Sequence, residues 1–94
     1  MSEKTNLELI ENHRAEIDAL DAKIVALLNE RAFHSLTIRA LKPGAGMQLF
    51  DAKREDLIYD KVCALNEGPL ADDNVKEIYA TLLKVMKEAP DLEQ

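Results

Sequence analysis

Ninety-four residues are one domain's worth of chain, and a net charge of −6 excludes a general nucleic-acid binder, which needs a basic face to displace counterions. The aromatic residues are only Phe33, Phe50, Tyr59 and Tyr79, so the core has to be built from aliphatic side chains. Cys63 is the single cysteine, the stretch from Met1 to His13 is polar, and no apolar run reaches membrane-spanning length. A soluble chain in a reducing cytoplasm is therefore expected, with no disulfide and no membrane partner.

In chain order, the first regularity lies between Asn6 and Lys42. Ile10, Ile17, Ile24 and, past Arg31, Ile38 share one heptad position, and Leu20, Leu27 and Leu41 fill the position three residues on. This is the a/d seam of a long helix. No Gly or Pro interrupts it until Pro43, which forces the preceding residue out of the α region. The first helix is placed at about 6–42. Asp51 is a candidate N-cap for a second helix at about 51–66, where Leu57, Ile58, Val62 and Leu65 have helical spacing and Gly68-Pro69 follows. Asp72 or Asp73 caps a third, at about 72–89, whose apolar face carries Val75, Ile78, Tyr79, Leu82, Leu83 and Met86 before Pro90. Met1–Thr5 and Asp91–Gln94 are expected to fray.

The fold class is therefore all-α, a single domain over residues 1–94 with one long N-terminal helix. That helix would be roughly 55 Å long at 1.5 Å per residue. A compact domain of this size has a radius of gyration of only about 12 Å. The two shorter helices cannot cover the whole seam, and a second copy is the simplest cover. A plain dimeric coiled coil or helical hairpin without chemistry satisfies the periodicity equally well.

Polar residues interrupt the seam. Arg31 takes an a position and His34 a d position. A buried arginine is costly without a partner, so Arg31 either reaches solvent or faces an anion. His34 is read as structural or solvent-facing. Lys42 lies eleven residues beyond Arg31, on nearly the same face and about 16 Å further along the axis. The two could close on the ends of one small ligand. Arg14 is about 25 Å from Arg31 along the helix and cannot reach that ligand within one chain. In an antiparallel pairing of two first helices, Arg14 of the partner subunit could. Asp51, Arg54 and Glu55 share one face of the second helix's first turn, either as a cap with a surface ion pair or as a carboxylate held toward a ligand. Arg39, a quarter turn off the Arg31 face, is read as surface.

Together these residues resemble the all-helical class of chorismate mutases. Arg14, then Ile17-Asp-Ala-Leu20-Asp21, then Leu27-Leu-Asn-Glu-Arg31 is similar to that family's opening pattern. Lys42, Phe50-Asp51 and Arg54-Glu55 follow at the family's spacing, and the likeness covers about residues 10–62. The resemblance implies a three-helix protomer, an intertwined homodimer and two shared sites. It implies that Arg31 and Arg14 of the partner subunit bind the substrate's two carboxylates. Lys42 would donate to the ether oxygen, and Glu55 would accept from the ring hydroxyl with Asp51 beside it. Arg54 would add to the cationic wall, and Ile38 and Ile58 would line the site. The implied reaction is the pericyclic rearrangement of chorismate to prephenate, which calls for no cofactor and no metal.

The third helix departs from the family. Its small or hydroxyl residue, and the Gln or Glu one turn later, fall on Met86 and Pro90. Met86 would line the substrate, but Pro90 has no side-chain donor. Lys87, Glu88 or Gln94 could substitute if the last turn is displaced. Weak activity alone, or activity requiring a partner enzyme that reorders the C-terminus, would follow. Three alternatives remain open: isochorismate pyruvate lyase, aminodeoxychorismate mutase, and a non-catalytic helical dimerisation or regulatory module.

Overall fold

The computed structural model describes residues 3–48 and 50–92. Among them there are α-helices and one 3-10 turn and no strand, in the order α1 (Glu3–Leu41), the turn Pro43–Ala45, α2 (Ala52–Leu65) and α3 (Asp72–Glu88). The all-α expectation holds, with one long N-terminal helix of 39 residues. That helix already includes Thr5, a residue expected to fray. Gln94 lies outside the described residues.

The chain divides between Phe33 and His34 into two compact units. The N-terminal unit is the greater part of α1. Its seam is uncovered: Ile10, Ile17, Leu20, Ile24 and Leu27 are all exposed, with Ile24 at 51%. Heptad spacing makes this an apolar stripe, and no described side chain of the unit shields it from water.

The C-terminal unit holds the end of α1, the turn, α2 and α3. Its core is Leu36 from α1 and Leu83 and Met86 from α3. Around that core, Ile58 and Val62 of α2 and Val75, Tyr79 and Leu82 of α3 are half-buried. Ile78, on the expected apolar face, is instead exposed.

Local chemistry accounts for each break. Against the expectation, Lys42 keeps helical dihedrals before Pro43, φ −56° and ψ −45°; the chain tightens into the 3-10 turn instead, the Lys42 carbonyl accepting from Ala45 N at 3.1 Å and Met47 N at 2.9 Å. Gly46 ends the turn at φ 73°, a conformation glycine adopts without Cβ strain. Asp51 caps α2 as expected, its Oδ1 accepting from Arg54 N at 3.0 Å. Between α2 and α3, the Asn66 amide donates to Leu70 O and to Asp72 Oδ1, both at 2.8 Å. Gly68 returns a backbone N–H to Asn66 Oδ1 at 3.1 Å.

The start of α3 differs from the expectation of an aspartate cap. Its N-cap is Ala71, with Asp72 and Asp73 in the first turn. Ala71 has no side-chain acceptor, so only the reciprocal half of a capping box forms, Asn74 Oδ1 accepting from Ala71 N at 3.1 Å. The two aspartates favour the helix start through the dipole.

Candidate functional site

The sequence singles out nine residues, and they fall into both units. Arg14 and Arg31 belong to the N-terminal one. Arg14 is exposed and pairs with Glu11 one turn back, Nη1 to Oε1 at 2.9 Å. Such a solvent-facing pair holds its arginine only loosely. Arg31 is half-buried, the only charged residue of the N-terminal unit's described side chains that is not exposed.

The other seven belong to the C-terminal unit. Ile38 is exposed on α1. Lys42 is half-buried where α1 gives way to the turn, its backbone N still donating to Ile38 O at 3.0 Å. The first turn of α2 carries Asp51 as the cap, Arg54 exposed and Glu55 half-buried, with half-buried Ile58 one turn on. Met86 is buried in α3.

The expected surface pairing of Arg54 with Asp51 or Glu55 is replaced by a tertiary one. Lys87 Nζ of α3 lies 3.0 Å from Glu55 Oε2. The same ammonium sits 4.4 Å from the centre of the Phe50 ring. Positive charge over an aromatic face is attractive, and more so where water is thinned out. Lys87, Glu55 and Phe50 thus form one cluster at the junction of α2's entry and α3's last turn.

Arg39 corrects the surface reading. Its guanidinium donates to Met86 O and Ala89 O, each at 2.6 Å, to Lys87 O at 3.0 Å, and to Asp91 Oδ1 at 3.1 Å. Helix C-termini leave carbonyls without partners, and a planar five-donor fork satisfies several at once. Arg39 therefore fastens the last turn of α3, which carries Met86 and Lys87, to the end of α1. Pro90, just beyond the C-cap Ala89, is exposed. No local pattern could have flagged Arg39, since its partners lie 47 to 52 residues away.

An open groove between α2 and α3 offers another concavity. Its charged lining is Asp56, Asp60, Asp73 and Glu77 against Lys76 alone. That sign repels a dianion, so the cationic set, and not this groove, is the candidate for anion binding.

Set beside known proteins, residues 13–90 match the family chorismate mutase type II, and the chain belongs to that family. A bifunctional chorismate mutase/prephenate dehydratase of Neisseria gonorrhoeae is 40% identical over 76 residues, 81% of this chain and 20% of that protein. A chorismate mutase of Methanocaldococcus jannaschii is 30% identical over 69 residues, 73% of this chain and 70% of that one. The solved chorismate mutase (form II) of Thermus thermophilus superposes with a TM-score of 0.82 at 28% identity, covering 88% of this chain and 98% of that one. The chain spans about a fifth of the length of the bifunctional relatives it matches.

Proposed function

We propose that this chain is a chorismate mutase, isomerising chorismate to prephenate on the route to aromatic amino acids, and that it works as a homodimer with two shared sites in the cytoplasm. The observation that carries the reading is the family match across residues 13–90, which contains Arg14, Arg31, Lys42, Asp51, Arg54 and Glu55. Support for the dimer comes from the exposed seam of α1, and support for the compartment from the lone Cys63. No described helix is long and apolar enough to cross a membrane.

The reaction breaks a carbon–oxygen ether bond and forms a carbon–carbon bond within one molecule. It needs a dianion held in its compact conformer and a donor where negative charge grows on the ether oxygen. The first is an orientation effect, the second electrostatic stabilisation by preorganised donors. Arg31 and Arg14 of the partner subunit take the two carboxylates. Lys42 donates to the ether oxygen, and Glu55 accepts from the ring hydroxyl beside Asp51. Arg54 adds to the cationic wall, and Ile38, Ile58 and Met86 pack against the carbon skeleton. Pro90 brings no second donor to the ether oxygen. Losing one such donor commonly lowers the rate about a hundredfold, so a partner enzyme that reorders the C-terminus would raise the rate.

Incubation with chorismate tests this directly. Prephenate should appear with simple one-substrate kinetics, and a bicyclic mimic of the transition state should inhibit and stabilise the protein. Absence of turnover together with absence of stabilisation by the mimic would point to a non-catalytic dimer module instead. Release of pyruvate from isochorismate, without prephenate from chorismate, would point to the lyase.

A further inference from the structure

The Lys87–Glu55 pair differs from an ordinary surface ion pair in how it is held. Each partner comes from a different helix, with Lys87 Nζ 3.0 Å from Glu55 Oε2. Lys87 is also seated on the Phe50 ring at 4.4 Å. Its own backbone carbonyl, and those of Met86 and Ala89, accept from Arg39 on α1. Glu55's side chain is only 25% exposed, against 52% for Lys87, so the carboxylate is the more enclosed member. The ammonium is therefore directed at that carboxylate by three separate parts of the chain, the end of α1, the entry to α2 and the last turn of α3.

We propose that Lys87 is a specificity-determining residue that makes the Glu55 carboxylate select a neutral hydroxyl over a charged amine on the substrate ring. This rests on the chorismate mutase reading, in which Glu55 faces the ring substituent. A lone carboxylate attracts an ammonium more strongly than a hydroxyl, because charge–charge attraction exceeds charge–dipole attraction at equal distance. With Lys87 beside it, Glu55 presents a compensated charge that still accepts a hydrogen bond from a hydroxyl. An ammonium brought to the same place would meet little net attraction to Glu55 and direct repulsion from Lys87. Discrimination of this kind works by an unfavourable contact built against the wrong ligand. Lys87 acts on the reaction through Glu55 and is a positioning residue as well as a filter.

The test compares chorismate with its analogue carrying an amino group in place of the ring hydroxyl, using the dimeric protein and its Lys87→Met and Lys87→Arg variants. Lys87→Met should lower kcat/KM for chorismate a few-fold and shift the amino-to-hydroxyl preference toward the amine by about tenfold, the size expected for one charge contact removed near a ligand. Lys87→Arg should restore the original preference. A role confined to stability would change both substrates in proportion and leave their ratio untouched. An unchanged ratio in Lys87→Met, with chorismate still turned over by the unsubstituted chain, overturns the Lys87 assignment alone. If the unsubstituted chain turns over neither compound, the mutase reading fails and this inference with it.

Discussion

The two units obey opposite rules of burial. From Leu7 to Leu28 every large apolar side chain of α1 is exposed, whereas Leu36, Leu83 and Met86 are buried. The N-terminal unit is a helix whose apolar stripe is complete in sequence but uncovered. The C-terminal unit closes a core of its own, though a small one. Neither has the interior that keeps an independent domain folded. An apolar stripe left exposed in one unit beside a small core closed in the other is what the proposed pairing of two such stripes accounts for.

Charge placed in the stripe tests that lesson most severely. Ile24→Asp should dissociate the dimer and abolish turnover. In a lone chain Ile24 is half exposed already, so aspartate there costs little, whereas in a dry interface an unpaired carboxylate costs several kcal/mol. Size-exclusion chromatography with light scattering reads the outcome. A variant that stays dimeric with full activity removes α1 from the interface.

Truncation in the C-terminal unit acts on a core that one chain closes by itself. Leu83→Ala should cost about 2–5 kcal/mol, the usual range for a buried leucine. Denaturant unfolding at several protein concentrations should show a loss that depends little on concentration, unlike the loss from Ile24→Asp. A concentration dependence equal to that of the seam variant would mean that the two units share one fate.

Arg39→Ala should have the smallest effect. It removes charge-assisted bonds to carbonyls at the end of α3, each worth about 1.5–3 kcal/mol at most and less where water can replace the donor. A destabilisation of about 2 kcal/mol is expected, with faster hydrogen exchange confined to the last turn of α3. Unaltered exchange there would show that the last turn is held by its packing alone.

What is legible in the sequence follows from the range of each signal. The heptads of α1, the stop at Pro43, the Asp51 cap and the Gly68-Pro69 break are written within a few residues, and local rules suffice to read them. The start of α3 misleads those rules because the Asn74 N–H, which a capping side chain would take, donates to Ala71 O at 3.0 Å, while the Asn74 side chain accepts from Ala71 N. Arg39 misleads them because its acceptors are distant backbone carbonyls, which no residue pattern records. Lys87 can be named from sequence as one stand-in for the donor that Pro90 lacks, but its pairing with Glu55 is tertiary and leaves no local mark. The cation set itself is readable only as a whole, since Arg14, Arg31 and Lys42 each have a plain surface explanation when taken singly.

In the proposed dimer each site draws Arg31 from one chain and Arg14 from the other. Arg14→Ala and Arg31→Ala homodimers should each be nearly inactive yet folded. Mixed in equal amounts and allowed to exchange subunits, they form heterodimers in which one of two sites carries neither lesion, so about a quarter of all sites should regain activity. Recovery toward that level is the predicted result; no recovery after subunit exchange has been verified would contradict it.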